Sequence, residues 1–303
     1  MTETIELSEK VLEKKPGHID AHTLDELWFH TGTACNLACS FCLEGSKPGD
    51  NRLQRMTLVD VMPYVDEAVK LGVKQFSFTG GEPFIVKDFI KILDYASRHK
   101  PCLVLTNGTA PLIKRIESVV PLKKNPHPIH FRISLDYPDA KKHDGDRGVG
   151  SFYKALDGIR LLLKHGFTVS IARQIEKDED KDEVEQQYRD IFQFNMLPVD
   201  IPIIAFPDFL QPGTLANVPE ITEQCLIDYH TDESRKKFMC AYSRMLVKKN
   251  NEMRIYACTL VDDDPDYDMG KSLSKSTKER VLLNHHRCYS CFAFGSSCSE
   301  IVR

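Results

Sequence analysis

The chain has 303 residues, of which 42% are hydrophobic, so it is long enough to bury a full core. Its formal net charge is -4 with both signs interspersed, which gives no reason to expect nucleic acid or an anionic membrane surface as a partner. No stretch approaches the roughly 20 apolar residues that span a bilayer, and residues 1–16 are too charged for the apolar part of a signal peptide. We therefore expect a cytoplasmic protein.

After a polar lead-in, for which a short helix is predicted, apolar segments of strand length alternate with segments of helical periodicity. The predicted strands are 27–31, 75–79, 102–106, 129–135, 168–172 and 201–206. The predicted helices are 57–72, 88–98, 111–120, 151–165 and 182–192. Six strands alternating with five helices predict right-handed βαβ units and a parallel sheet, with too few repeats for a closed eight-stranded barrel.

The ten cysteines are the main chemical signal, because clustered cysteines in a chain without a signal peptide indicate metal ligands more than disulfides. Eight of them form two groups: Cys35, Cys39 and Cys42, then Cys240, Cys258, Cys288, Cys291 and Cys298. Cys102 and Cys225 stand alone, and a lone cysteine is more often a small buried apolar residue than a ligand.

Cys35, Cys39 and Cys42 have the spacing C-x3-C-x2-C within residues 33–44, called the cysteine loop below. Three thiolates in so short a loop can hold one face of a four-iron cluster and leave one iron open. A structural zinc knuckle is the alternative, although zinc sites favour C-x2-C pairs. The loop resembles that of the radical S-adenosylmethionine (SAM) superfamily, in which the methionine amine and carboxylate chelate the open iron. That resemblance implies a [4Fe-4S] cluster with SAM, and it places Phe41 beside the adenine.

Two glycines and a carboxylate, Gly80, Gly81 and Glu82, follow the second predicted strand. The glycines allow close backbone approach, and a carboxylate can accept hydrogen bonds from an ammonium group. Alone, the sequence GGEP is an ordinary turn. One βα unit after the cysteine loop, it resembles the radical SAM motif that binds the methionine amine, with Glu82 acting through its side chain or through placement of the backbone.

Polar residues also follow the next predicted strands. Asn107 is either a turn residue or a contact to SAM or substrate. Ser134 resembles the superfamily's ribose-binding position, and Asp136 is a candidate substrate contact. Arg147 belongs to a segment that resembles the RGxGSF sequence of the SPASM/Twitch branch, where an arginine pairs with the methionine carboxylate. Arg173 is interpreted as a substrate or carboxylate ligand or, equally, as part of a salt bridge at the rim.

The C-terminal third changes character, because prolines and a glycine interrupt the βα alternation after residue 206. Segments 244–249 and 253–258 predict a hairpin. The acidic run 262–268 is expected to be a solvated surface loop, since it lacks the glycine and the closing glutamate of an EF-hand. The predicted organisation is a lead-in at 1–24, a barrel at 25–206 and a small cysteine-bearing domain at 207–303.

Cys240, Cys258, Cys288 and Cys291 can supply a complete ligand set for one auxiliary iron–sulfur cluster of the [4Fe-4S] type. Zinc would use the same thiolates, so the spacing leaves the metal open. The arrangement resembles the short Twitch form of the SPASM extension, of the butirosin aminocyclitol dehydrogenase type, and so implies a single auxiliary cluster. It departs from the full SPASM pattern after Cys291, which leaves Cys298 as a spare cysteine or an alternative fourth ligand.

The resemblance implies an α/β fold, with a partial (β/α)6 TIM-like barrel and a C-terminal Twitch-like domain, and a radical SAM oxidoreductase. The reduced cluster passes an electron to SAM, and the resulting 5′-deoxyadenosyl radical removes a hydrogen atom from the substrate. An auxiliary cluster that accepts the remaining electron makes the net reaction a dehydrogenation. The implied partners are a small-molecule or peptide substrate and an electron donor such as flavodoxin or ferredoxin.

Two alternative functions stay open. A peptide-modifying maturase, forming a cross-link or an epimer, shares these motifs but often has an N-terminal leader-binding domain. Only a short lead-in precedes the first predicted strand here, which favours a small molecule or an unaided peptide. A metal-binding interaction module without SAM chemistry is the alternative of another class, and Glu82 and the polar residues at strand ends argue against it. The sequence does not identify the substrate.

Overall fold

The structure is a computed structural model that describes residues 15–176, 178–207, 209, 214 and 216–295. The strands are β1 His18–Ile19, β2 Glu26–His30, β3 Gln75–Thr79, β4 Cys102–Thr106, β5 Ile129–Ser134, β6 Thr168–Gln174, β7 Ile203–Phe206, β8 Ser243–Lys249, β9 Glu252–Tyr256 and β10 Val281–Leu282. The helices are α1 Leu58–Lys70, α2 Phe89–Ser97, α3 Ala110–Val119, α4 Ala140–Arg147, α5 Ser151–Lys164, α6 Lys181–Phe194, α7 Glu223–Tyr229, α8 Asp232–Arg235, α9 Met239–Tyr242, α10 Leu273–Ser276 and α11 His286–Phe294. None of these helices, within the residues described, is long and apolar enough to cross a bilayer.

The six predicted barrel strands are present as β2 to β7, and each pairs in parallel with the next along the chain. Helices α1, α2, α3 and α6 each form a crossover, while α4 and α5 share the crossover between β5 and β6. In the described part of the chain β7 pairs only with β6, so the sheet does not close. The predicted partial TIM-like barrel is confirmed. Helix α4 was not predicted, because it is polar and His143 is the residue that it buries.

The predicted C-terminal hairpin is present as β8 and β9, but it extends the barrel sheet instead of standing apart from it. β8 pairs in parallel with β2, and Met245 lies opposite Trp28. Both faces of β8 are buried, since Leu246 packs in one hydrophobic core and Met245 and Val247 pack in another. A strand covered on both faces has no polar side to show where it belongs, so the sequence did not reveal that β8 joins this sheet.

Two hydrophobic cores stabilise the fold. The larger one combines strand residues such as Phe29 and Phe78 with the apolar faces of the helices. The second combines Trp28 and Leu103 of the barrel with Met239 and other residues of the C-terminal part. Because each fully buried large apolar side chain contributes roughly 1.5–3 kcal/mol, the C-terminal part and the barrel stabilise each other. The domain boundary at 206/207 stays a prediction.

The lead-in is hydrogen-bonded to the C-terminal part of the chain through its backbone. β1 pairs antiparallel with β10, and the amide of Gly17 donates to Ile221 O at 2.8 Å. Residues 15–24 form β1 and no helix, whereas residues 1–14, where the short helix was also expected, lie outside the described residues.

Candidate active site

A cavity of about 220 Å³ opens at the carboxyl ends of the barrel strands. In parallel α/β barrels this end carries the loops that bind ligands. The predicted residues that line the cavity are Cys35, Cys39, Phe41, Cys42, Gly80, Gly81, Asn107, Ser134, Asp136, Arg147 and Arg173. The structure therefore brings together residues from four strand ends and the cysteine loop. Glu82 does not line the cavity.

The cysteine loop is held by the backbone of the glycine pair. The amide of Gly81 donates to Gly32 O at 2.9 Å, and the amide of Glu82 donates to Ala34 O at 3.0 Å. Gly80 has a φ of +129°, and a Cβ on it would lie 2.8 Å from Gly32 O. A side chain at this position would be strained and would also collide with the chain just before Cys35.

Amide groups surround the sulfur atoms of the loop. The amide of Leu37 donates to Cys35 Sγ at 3.4 Å, and the amide of Ser46 donates to Cys42 Sγ at the same distance. The side-chain amide of Asn107 lies 3.9 Å from Cys35 Sγ. Hydrogen bonds from N–H groups favour a charged sulfur over a neutral one, so this environment fits thiolates that bind a metal cluster.

Burial opposes the ionisation of these thiols. It raises the pKa of Cys35 to about 12, against the hydrogen bond from Leu37, and it also raises the pKa of Cys39 and Cys42. Without a cation the three thiols stay protonated at neutral pH. Iron binding must displace their protons, as expected for thiolate ligands.

The Glu82 carboxylate is fully buried and bonded within the protein. It accepts hydrogen bonds from the amides of Phe84 and Asn107, both at 2.9 Å, and from the Thr106 hydroxyl at 2.8 Å. Burial raises the pKa of Glu82, and these hydrogen bonds oppose the rise. The side chain thus joins the end of β3 to the end of β4, which favours a role in placing the backbone over direct contact with the methionine amine.

Arg147 brings a partly buried positive charge to the cavity, because its side chain is 13% exposed. Its Nε donates to Asp136 Oδ2, and its guanidinium carbon lies 5.4 Å from the centre of the Phe41 ring, within reach of a cation–π contact. Burial by itself lowers the Arg147 pKa, but the Asp136 carboxylate raises it above its usual value. The guanidinium is therefore charged and lies between the cysteine loop and the end of β5.

Arg173, which had two interpretations, forms a salt bridge. Its two terminal nitrogens donate to the Glu179 carboxylate oxygens at 2.9 and 2.7 Å, in the bidentate geometry that suits arginine. Burial alone would raise the pKa of Glu179, but the hydrogen bonds from Arg173 outweigh burial and lower the pKa below its usual value. The Glu179 carboxyl group is therefore ionised. Within the residues described, the structure favours the salt-bridge interpretation of Arg173.

The cysteines Cys240, Cys258, Cys288 and Cys291 are all buried and border one small gap of about 20 Å³, which has mostly apolar walls. Burial, with a further contribution from the neighbouring thiols, raises the pKa of Cys288 to about 12 and that of Cys240 well above its usual value. Four buried thiols that border one apolar gap offer enough donors for a thiolate-bound metal or cluster. Cys298 lies outside the described residues.

The sequence did not reveal a buried polar group beside the cysteine loop. His30 Nε2 lies 3.0 Å from Glu44 Oε2 and 3.9 Å from Asp262 Oδ2. Asp262 is only 4% exposed, so the expectation of a solvated acidic loop is wrong at this position, although Asp266 is exposed. The three residues come from distant segments, and no local motif connects them.

The family model described as Radical SAM superfamily matches residues 29–191, which are more than half of the chain. The chain belongs to the radical SAM superfamily. It is 36% identical over 143 residues to the antilisterial bacteriocin subtilosin biosynthesis protein AlbA of Bacillus subtilis, covering 46% of this chain and 31% of that protein. It is 34% identical over 137 residues to the mycofactocin maturase MftC of Mycolicibacterium smegmatis, covering 45% and 33%. The chain thus spans about a third of the length of these curated relatives.

Solved structures share the fold of this radical SAM enzyme. Streptococcus suis SuiB bound to S-adenosylmethionine has a TM-score of 0.63 at 16% identity, covering 86% of this chain and 66% of SuiB. Native anSMEcpe with bound AdoMet has a TM-score of 0.58 at 13% identity, covering 87% and 81%. At these identities the likeness shows the fold alone. Together the comparisons support the predicted SPASM/Twitch branch, and membership of the superfamily implies a [4Fe-4S] cluster with SAM.

Proposed function

We propose that this enzyme holds its [4Fe-4S] cluster on Cys35, Cys39 and Cys42 and binds SAM across the 220 Å³ cavity. The observation that carries the proposal is the convergence of these thiols and the Gly80–Gly81 backbone on one cavity. When bound, the cluster, reduced by a one-electron donor such as flavodoxin or ferredoxin, would pass that electron to SAM, and the reductive cleavage would yield methionine and a 5′-deoxyadenosyl radical. The barrel contributes positioning and the exclusion of water from the radical.

The cavity residues have complementary roles in this proposal. The charged guanidinium of Arg147 pairs with the methionine carboxylate, and the Phe41 ring packs beside the adenine. Ser134 offers a hydroxyl to the ribose, while Asn107 lies close to both Cys35 and the cavity. Glu82 is a positioning residue, because its carboxylate already accepts hydrogen bonds from β4 and the turn after β3.

The C-terminal cysteines Cys240, Cys258, Cys288 and Cys291 are proposed to hold one auxiliary cluster. Four buried thiols that border one gap support this assignment. A cluster there would supply an acceptor for the single electron that remains on the substrate after hydrogen-atom abstraction. With the loss of one proton, the substrate would be oxidised by two electrons overall. The same four thiols would bind zinc, so metal analysis must accompany the test.

A peptide is the substrate that the comparisons support best. One relative takes part in bacteriocin biosynthesis and another is a maturase, and the fold neighbour SuiB has been solved bound to the precursor peptide SuiA. A small molecule is the second candidate, because a probable GTP 3′,8-cyclase of Pyrococcus horikoshii is 31% identical over 155 residues, covering 50% of this chain and 46% of that protein. The sequence alone favoured a small molecule or an unaided peptide, and the comparisons favour the peptide.

The proposal is tested by anaerobic reconstitution with iron and sulfide, followed by assay of 5′-deoxyadenosine with a chemical reductant. Arg147→Ala should weaken SAM binding by about one to two decades, because one charge-assisted contact is worth roughly 1.5–3 kcal/mol. Arg160→Ala is the matched control, since Arg160 pairs with Asp157 on the surface and does not line the cavity. Unchanged SAM affinity in Arg147→Ala would show that the SAM site is misplaced.

The substrate class is tested separately with the reconstituted enzyme. Candidate precursor peptides and GTP are each added, and the rate of 5′-deoxyadenosine formation is compared with the substrate-free rate. A peptide substrate should raise the rate of 5′-deoxyadenosine formation. Mass spectrometry should then show that the peptide product has two hydrogen atoms fewer than the substrate. Stimulation by GTP with no change in any peptide would instead support the small-molecule candidate.

A further inference from the structure

One buried side chain, Arg287, joins the two cysteine sites. Arg287 immediately precedes Cys288 and is 1% exposed. One of its terminal nitrogens donates to Leu43 O at 3.1 Å, the other donates to Leu260 O at 3.2 Å, and its Nε donates to Phe209 O at 3.0 Å. Leu43 directly follows Cys42 in the cysteine loop. The Arg287 guanidinium therefore links Leu43, which follows the proposed ligand Cys42, to the segment that carries the proposed ligand Cys288.

A second connection runs beside the first one. His30, at the end of β2, contacts Glu44 of the cysteine loop at 3.0 Å, and Asp262 of the C-terminal part lies 3.9 Å from the same His30 nitrogen. Leu43 and Glu44 both line the 220 Å³ cavity. The wall of the cavity is thus fixed by residues that the C-terminal part provides.

The group of His30, Glu44 and Asp262 could also be interpreted as a metal site, because their ligand atoms lie within 4.8 Å of one another. The direction of one hydrogen bond argues against this interpretation. The Gly32 amide donates to His30 Nδ1 at 3.2 Å, so Nδ1 carries no proton and Nε2 carries it instead. A metal bound at Nε2 would move the proton to Nδ1, where it would face the N–H of Gly32. The group is therefore a hydrogen-bonded connection.

We propose that Arg287 is a positioning residue that fixes the cysteine loop to the C-terminal cysteines, with the His30–Glu44–Asp262 group as a second support. The functional part of this inference rests on the proposed function, in which both cysteine sites hold clusters. Loss of the connection loosens residues 43–46 while each cysteine set keeps its own ligands. SAM cleavage then continues, but the substrate is held less well between the two sites, and less product forms for each SAM that is consumed.

The chain offers a matched control for this proposal. Arg244 is also 1% exposed and donates to backbone carbonyls beside an auxiliary cysteine, at 2.6 Å to Cys240 O and 2.8 Å to Ser276 O. None of the hydrogen bonds described for Arg244 reaches the cysteine loop. Both substitutions, Arg287→Lys and Arg244→Lys, remove buried hydrogen bonds near the C-terminal cysteines. Only Arg287→Lys also removes the hydrogen bond to Leu43 O in the cysteine loop.

Hydrogen–deuterium exchange of the reconstituted protein, in the absence of substrate, gives the first measurement. Arg287→Lys should speed exchange in peptides that cover residues 33–46 by about tenfold, because a charge-assisted hydrogen bond is lost there. Arg244→Lys should leave these peptides unchanged. Equal effects of the two substitutions on the loop would overturn the proposal. If Arg287→Lys does not fold, Arg287→Gln is measured instead against Arg244→Gln, and equal exchange of residues 33–46 in these two variants would overturn the proposal as well.

The second measurement is the ratio of 5′-deoxyadenosine to oxidised product. Arg287→Lys should raise this ratio several-fold with iron content and SAM affinity unchanged, whereas Arg244→Lys should keep the wild-type ratio. An unchanged ratio in Arg287→Lys would overturn the functional part of the inference. If wild-type protein forms no 5′-deoxyadenosine, the proposed function fails, and the exchange experiment still decides whether Arg287 fixes the loop.

Discussion

Gly81 lies directly against the carbonyl group of Ala34, the residue before Cys35. A Cβ on Gly81 would be 2.8 Å from Thr33 O and closer still to the Ala34 carbonyl. Because real Cβ atoms do not approach backbone atoms so closely, only glycine lets the end of β3 support the start of the cysteine loop. The backbone of the GGEP motif thus packs directly against the backbone at the start of the C-x3-C-x2-C loop.

Gly81→Ala should therefore displace the cysteine loop. We expect a loss of roughly 1–3 kcal/mol in the free energy of unfolding, as for other overpacked sites, together with reduced iron uptake at this loop. Chemical denaturation and iron analysis measure both effects. Gly145→Ala is the control, since a Cβ there meets nothing within 4 Å, and it should be neutral or slightly stabilising. Similar behaviour of the two variants would contradict the contact described above.

Replacement of Cys35, Cys39 and Cys42 together by alanine should abolish reductive SAM cleavage. The C-terminal cysteines are untouched, so about half of the iron should remain if each site holds one four-iron cluster. Iron and sulfide analysis with a 5′-deoxyadenosine assay checks both statements. Continued 5′-deoxyadenosine formation in this variant would contradict the assignment of the cluster to the cysteine loop.

Glu82→Ala should lower stability more than it changes SAM chemistry. The substitution leaves the amides of Phe84 and Asn107 and the Thr106 hydroxyl without their buried acceptor. A single buried group left unsatisfied costs about 1–3 kcal/mol, so the total loss should be at the upper end of single-substitution effects. Glu82→Gln retains one acceptor oxygen and should be milder. A stable Glu82→Ala protein that binds SAM weakly would instead indicate that the carboxylate contacts SAM.

Where the signal was local, the residues predicted from the sequence line one cavity in the structure. Cys35 and Gly81 belong to short motifs, and βα periodicity placed those motifs at strand ends, so the structure brings them together. The sequence could not show where a side chain points, and Glu82 turned out to face β4. It also could not show contacts between distant segments. Glu44 and Asp262 are 218 positions apart, and each alone resembles an ordinary surface acid.

Cys258→Ala combined with Cys291→Ala should spare some SAM cleavage but abolish oxidation of the substrate, because the proposed electron acceptor is lost. Cys225→Ala is the control, since Cys225 lies apart from the gap that the four buried cysteines border. Iron and zinc analysis of the double variant also shows which metal the site binds. Undiminished product formation would contradict an electron-accepting role for these cysteines.

Asp262 should make the stability of the protein depend on pH. Burial, and after it the neighbouring Glu44 carboxylate, raises the pKa of Asp262 to about 8. In the unfolded chain this carboxyl ionises near its ordinary pKa of about 3.9. Between these two values the folded state binds the extra proton, so the free energy of unfolding falls as pH rises, by up to ~1.4 kcal/mol per pH unit. Above the folded pKa this contribution becomes constant.

Asp262→Asn removes the titrating group, so the loss of stability between about pH 6 and about pH 8 should be smaller than in the wild type. Urea denaturation at several pH values across this interval measures the difference, with metal content held constant. Asp266→Asn is the control, because Asp266 lies in the same acidic run but is exposed. We expect the control to follow the wild-type curve. Parallel curves for Asp262→Asn and the wild type would show that Asp262 does not retain its proton in the folded protein.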